Sequence, residues 1–207
     1  MKTLTFKSRE EWLAGRNGRV TGSTAGDIIQ YKPSTKEKIG FYEIVAQKIA
    51  VQAELDEKPM DRGTRLEPTA VVEFEKKTGK KVDTSLVIWT RDDNENIAIS
   101  PDGFIKGKGK KITEAVEVKC LSSARHIMAW DLQEIPSDYE EQANQYFVVN
   151  DDLETLYFVF YDPRVIAMPY FVITLNRKDI KDDVKFCLEQ ERTKLAKIDS
   201  LVNKLTF

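Results

Sequence analysis

Apolar positions along this chain change their period near Gly79, and that change sets the first third of it apart. Up to about residue 78 they recur every three to four residues, the spacing of an amphipathic helix. Ser8-Arg9-Glu10-Glu11 has the pattern of a capping box and predicts a helix through Trp12 and Leu13 that stops near Gly15–Gly18. Thr21–Gln30 predicts a second short helix with Ser23 near its start. Ile39, Tyr42, Val45, Ala46 and Ile49 predict a third from about Lys36 to Gln52. After a polar break at Asp56–Pro59, Leu66, Ala70, Val71 and Phe74 form the buried stripe of a fourth, from about Asp61 to Thr78, with Gly79 as its stop.

Beyond Gly79 the period becomes two. Val82–Thr90, Ile97–Ser100, Gly103–Lys106 and Ile112–Cys120 predict strands separated by the turn clusters RDDNEN and GKGKK. Ser122–Leu132 reads as a helix. Ser137-Asp138-Tyr139-Glu140 reads as another capping box, starting a helix to about Val149. Leu156–Tyr161 and Pro169–Leu175 are rich in strand-forming residues, and the tail from Arg177 to Leu205 is an amphipathic helix. Helices come first, then strands, then mixed elements. That order favours one α+β domain over a regular βαβ alternation.

Composition narrows the chemistry. At 207 residues the chain suits one domain with a substantial core. The longest wholly apolar or aromatic run is Leu156–Tyr161, far below the ~20 residues of a membrane helix. The start of the chain lacks the apolar core of a signal peptide, so a cytoplasmic location is expected. Two cysteines give neither a disulfide framework nor paired metal spacing, and the lone His126 excludes a multi-histidine zinc site within one chain. No GxSxG-type elbow accompanies that histidine. Carboxylates are the plentiful metal ligands. The net charge of −2 hides local patches. Residues 1–38 carry eight Lys or Arg against four acids, and residues 106–111 read KGKGKK. Such patches suit either a polyanion on one face or plain solvated surface.

The candidate chemistry centres on Ser100-Pro101-Asp102-Gly103 and, with fourteen residues between Asp102 and Glu117, on Glu117-Val118-Lys119. Glu117 and Lys119 alternate on one strand and project from one face, while Val116 and Val118 face the core. Two carboxylates converging from neighbouring strands can hold Mg²⁺, and a lysine two residues on can orient or deprotonate water. An ordinary strand with an exposed Glu and Lys fits the same residues.

The D-x(14)-E-x-K arrangement resembles the PD-(D/E)xK nuclease core. The wider set resembles the lambda-type phage exonucleases, the YqaJ-like viral recombinase family. Its segments are Glu11-Trp12 with Arg16-x-Gly18-x-Val20-Thr21-x-Ser23, then Gly63-x-x-x-Glu67, Ser100-Pro101-Asp102-Gly103 and Glu117-Val118-Lys119-Cys120. Tyr139-x-x-Gln142-x-x-x-Tyr146 and Tyr161-Asp162-Pro163-Arg164 follow, all in the family's order. The resemblance implies a central mixed β-sheet flanked by helices, in one exonuclease domain over 1–207. Residues 1–60 would be a mainly helical, basic DNA-end-binding part, 61–176 the nuclease core and 177–207 a C-terminal helix.

It further implies a role for each matched position. Asp102, Glu117, the Val118 carbonyl and Glu67 would hold two Mg²⁺ ions, with Mn²⁺ as a substitute. Lys119 would act on the attacking water, and Gln142 with Tyr146 would support the site. On the residues alone, Glu67 is equally an exposed helix acid, and Gln142 and Tyr146 a buried polar pair. Arg16, Ser23, Ser100 and Arg125 would bind a terminal 5′-phosphate. Arg19 and Lys32–Lys38 are either duplex contacts or surface charge. Trp12 fits the core of the first helix, and His126 is a bystander. The implied activity is 5′-to-3′ degradation of one strand of linear duplex DNA, leaving 3′ overhangs. The implied setting is a phage or prophage protein in a bacterial cytoplasm, a homotrimeric ring working with a single-strand annealing protein. Rival readings are an endonuclease or repair nuclease on the same core, a non-catalytic DNA-end-binding recombination protein, or an unrelated α+β domain.

Overall fold

A computed structural model describes residues 7–15, 28–29, 34–49, 58–107, 109 and 111–205. The expected helix at Thr21–Gln30 lies outside these residues except for Ile28 and Ile29. Helix α1 (Arg9–Ala14) begins as the capping box predicts, with the Glu11 N–H donating to Ser8 Oγ at 3.1 Å. Helix α2 spans Ile39–Lys48 and α3 spans Pro59–Thr78. Proline at the first position of α3 costs nothing there, because its missing N–H would lack a helical partner anyway. Gly79 ends the helix in the left-handed region at φ 70°, where a side chain would be strained.

The strands are β1 (Trp89–Arg91), β2 (Asn94–Ile99), β3 (Gly103–Ile105), β4 (Glu114–Lys119), β5 (Thr155–Tyr161) and β6 (Tyr170–Asn176). Strands β1 and β2 form a separate antiparallel hairpin. The main sheet has the order β3-β4-β5-β6, with β4 and β5 parallel and the outer pairs antiparallel. The parallel pair requires a crossover, made by α4 (Ser123–Leu132) and α5 (Glu140–Val149). Helix α6 (Lys181–Leu205) follows β6 after a 3₁₀ turn at Arg177–Asp179.

Each face of the sheet has its own core. On one, Val116, Val118 and Val159 pack against Ala70, Val71 and Phe74 of α3. On the other, Tyr146, Phe147, Leu156, Phe158 and Phe160 pack together with Val184 of α6. Burying each of these large side chains contributes ~1.5–3 kcal/mol. Alternation along β4 thus sends its valines to α3 and leaves Glu117 and Lys119 on the α5 side, as expected. A third cluster joins Tyr42 and Ala46 of α2 to Ala124 and Ile127 of α4.

Two expectations fail. Residues 82–88 form no strand; Asp83 makes a single bridge to Phe104, and the chain pairs again only at Trp89. Their β-branched and apolar residues suit a strand, but β3 is only three residues long, and past the Asp83–Phe104 bridge its edge runs out. Ser137 does not cap α5. A 3₁₀ turn at Ser137–Tyr139 precedes the helix, and neither start has a side-chain cap. Strand β2 also begins earlier than expected, at Asn94.

Candidate active site

The short strand β3 ends its pairing with β4 at Gly103↔Val116. The preceding Asp102 therefore leaves the ladder beside the next stretch of β4. There its Oδ2 accepts the Val118 N–H at 2.8 Å. The glycine that follows Asp102 leaves room for Val82, since a Cβ at Gly103 would lie 2.4 Å from Val82 Cγ1. Glu117 sits opposite Phe158 in the parallel pair and points beneath α5.

Helix α5 then supplies two grips one turn apart. Gln142 Nε2 donates to Glu117 Oε1 at 2.7 Å, and Tyr146 Oη donates to Glu117 Oε2. The same phenol oxygen accepts the Asp102 N–H at 3.4 Å, so Tyr146 joins both acids. Lys119 Nζ donates to Glu117 Oε1 at 2.7 Å and to Gln142 Oε1 at 2.8 Å, and lies 4.5 Å from the centre of the Tyr139 ring. An ammonium has three donors; two make hydrogen bonds, and the ring face lies close enough to attract the charge.

Glu117 is only 1% exposed. Burial, then the charge of Asp102, pushes its carboxyl up to about 7, against the pull of Lys119 and Tyr146. Burial raises Asp102, opposed by the Val118 N–H and Lys119. Glu67, half-buried on α3, is raised by burial and then by Asp102. Burial lifts the neighbouring Cys120 thiol to about 12, which keeps it inert.

These groups line a cavity of about 510 Å³. Glu67, Asp102, Glu117, Val118, Lys119 and Gln142 all reach it, as does Arg125 from α4. Helix α4 is capped by Ser122, whose Oγ accepts the Arg125 N–H. The Arg125 side chain pairs with Asp138 and lies over the Tyr139 ring at 5.4 Å. Ser100 does not line this cavity; it borders a neighbouring one that shares Glu67 and Asp102. Arg16, Ser23, Arg19 and Lys32 lie outside the described residues, as does the side chain of Trp12. Lys36 pairs with Glu134, away from the acids. His126 is fully buried, its Nε2 2.8 Å from the Met168 carbonyl, and takes no part in the cavity.

Two further cavity residues had no role assigned from the sequence: Arg62 carried no signal there, and Tyr139 stood only as the first residue of the motif Tyr139-x-x-Gln142-x-x-x-Tyr146. Arg62 is 7% exposed and donates Nε and Nη2 to the Cys120 carbonyl at 3.3 and 3.1 Å, tying α3 to the end of β4. Tyr139 lies between Lys119 and Arg125.

The donor set suits a hard divalent cation, because Asp102 raises both Glu67 and Glu117 by like charge and a cation relieves that repulsion. Among the described residues no three His, Cys, Asp or Glu side chains are close enough to hold an ion unaided. A complete shell would draw on the Val118 carbonyl and water.

The model of the YqaJ-like viral recombinase domain matches residues 11–152, well over half of the chain. The structure of an alkaline exonuclease, LHK-Exo from Laribacter hongkongensis, is similar with a TM-score of 0.60 and 26% identity, covering 95% of this chain and 98% of that one. LHK-Exo in complex with dAMP gives a TM-score of 0.54 at 26% identity over 95% and 99%. No curated protein is significantly similar. The chain, with its mixed central sheet flanked by helices, belongs to the YqaJ-like viral recombinase family, the lambda-type exonucleases built on the PD-(D/E)xK fold.

Proposed function

We propose that this protein is a metal-dependent exonuclease that degrades one strand of linear duplex DNA from its 5′ end, leaving a 3′ overhang. The observation that carries the reading is the Glu117 carboxylate, buried yet held on both oxygens by Lys119, Gln142 and Tyr146, with Asp102 beside it at a cavity. A buried acid fixed this way is costly for a structural strand and useful at a reaction centre. The dAMP complex of LHK-Exo adds support, because a deoxynucleoside monophosphate is the product such an exonuclease would release.

Glu67, Asp102, Glu117 and the Val118 carbonyl would hold the metal, two Mg²⁺ ions or Mn²⁺ in their place. Bound there, the ions would polarise the phosphodiester, lower the pKa of water and neutralise the leaving 3′-oxygen. Tyr146 and Gln142 fix the orientation of Glu117. Lys119, positioned by three neighbours, orients water or takes its proton on the same face. Arg125 offers paired N–H groups to a terminal phosphate, together with Arg16 and Ser23; Ser100, expected to join them, borders the neighbouring cavity instead. Contacts to phosphate rather than to base edges imply weak sequence preference. A trimeric ring around DNA, a single-strand annealing partner and a bacterial cytoplasm complete the reading on the strength of the family.

The test is a time course on duplexes labelled at the 3′ end of one strand, with 5′-phosphate or 5′-hydroxyl ends, in Mg²⁺ and in EDTA. The expected result is nucleotide release from the 5′ end, faster on phosphorylated ends and absent in EDTA. Release from the 3′ end, or equal rates on both 5′ termini, would contradict it.

A further inference from the structure

A second cavity of about 490 Å³ adjoins the first and shares Glu67 and Asp102 with it. Its remaining wall is Thr84, Leu86, Val87, Ile88, Ser100 and Pro101. It lies at the open end of the β1–β2 hairpin, where the chain enters β1 and leaves β2. The two cavities differ in chemistry. The first carries Arg62, Lys119 and Arg125; among the described residues no Lys or Arg lines the second.

Leu86 is fully exposed at 103% and Ile88 is 70% exposed. Apolar side chains this exposed, side by side at a cavity, mark a contact surface. The segment that bears them is anchored at both ends. Asp83 exchanges two backbone hydrogen bonds with Phe104, at 2.8 and 3.1 Å, and accepts the Ser85 N–H at 2.9 Å. Trp89 packs on Phe104 and Tyr146, with ring centres 5.6 and 6.2 Å apart. Leu86 and Ile88 are thus presented outward between fixed points, one of them resting on the tyrosine that grips Glu117.

We propose that the Leu86–Ile88 segment and Pro101 form a nucleobase-packing subsite for the nucleotide on the far side of the cleaved bond from Arg125. The inference rests on the nuclease reading. A phosphodiester at Glu67 and Asp102 has one nucleotide on each side. The cationic cavity suits the side with the terminal phosphate, and the aliphatic cavity suits an unpaired base, whose apolar face loses water on contact. Aliphatic contact with a base face reads no edge, which accords with cleavage independent of sequence.

The experiment pairs the Leu86→Ser/Ile88→Ser double variant with a duplex whose second nucleotide from the 5′ end is abasic. On normal DNA the variant should lose roughly tenfold in kcat/KM, the scale of one base contact. The unmutated protein should lose roughly tenfold on the abasic duplex, and the variant should lose almost nothing further, because the same contact is already gone. A 2-aminopurine at that position, followed by fluorescence in EDTA, should respond on binding to the unmutated protein and respond less with the variant. Losses that simply multiply, or a variant that matches the unmutated protein on normal DNA, would overturn the subsite alone. So would a change in mass by light scattering in the variant, which would make the patch a contact between copies. No cleavage of any duplex by the unmutated protein would overturn the nuclease reading and the subsite with it.

Discussion

The two walls of the main cavity are built differently. On the β4–α5 wall, the polar side chains that reach the acids are held by partners that are themselves shielded. Glu117 is held by Lys119, Gln142 and Tyr146, and the side chain of Lys119 is only 16% exposed. On the α4 wall, Arg125 is tied to Asp138, whose side chain is 55% exposed. Behind that helix the polar groups serve the fold: Ser123 Oγ donates to Asp162 at 2.6 Å, and Arg164 braces Asp162 at 2.7 and 2.8 Å. One wall fixes geometry to within a hydrogen bond. The other presents a charge that can move to meet a ligand. Chemistry on a bond needs the first, and capture of a phosphate end tolerates the second.

The largest effect should come from the fixed wall. Asp102→Ala and Lys119→Ala should each slow nucleotide release by about three orders of magnitude, about 4 kcal/mol of transition-state stabilisation. Calorimetry with Mn²⁺ should separate them, with binding weakened in the first and kept in the second, because an ammonium is no ligand. Tyr146→Phe keeps the ring and removes the hydroxyl that joins both acids. Single-turnover cleavage should fall roughly 10- to 100-fold, with a circular dichroism spectrum like that of the unmutated protein.

The adjustable wall should respond less. Arg125→Ala should lower the preference for 5′-phosphate over 5′-hydroxyl ends by roughly tenfold. It should change stability by less than about 1 kcal/mol in urea melts, since its ion pair is partly exposed.

The smallest effect concerns His126 on the buried side of α4. Burial lowers its pKa below the usual value near 6.5, against the pull of the Met168 carbonyl, and its Nδ1 has no partner among the described residues. The unfolded chain therefore takes up the proton first. This contribution to stability is complete above about pH 6.5 and declines as pH falls toward the lower folded value. Thermal melts between pH 7.5 and 5.5 should show a shallower decline in His126→Gln than in the unmutated protein.

The fixed wall was the more legible in the sequence, for a physical reason. Strand period two places Glu117 and Lys119 together, and helical spacing places Gln142 over Tyr146, so local periodicity reports their shared faces. Arg62 and Tyr139 act through contacts that no spacing encodes; Arg62 meets the carbonyl of a residue 58 positions away. The strand misread at residues 82–88 makes the same point from the opposite side. Its β-branched and apolar residues suit a strand as those of β4 do, but β4 lies between β3 and β5 while residues 84–88 run past the end of the three-residue β3. A strand needs a partner as well as a pattern.

Glu117→Gln is the direct test of the claim that the β4–α5 wall is the reaction centre. The change keeps the shape of the side chain and removes its charge. Single-turnover cleavage of a 5′-phosphorylated duplex in Mg²⁺ would be measured beside thermal melting. The account predicts a melting temperature within a few degrees of the unmutated protein and a cleavage rate lower by at least about three orders of magnitude. Cleavage within tenfold of the unmutated rate, in a variant that remains folded, would contradict it.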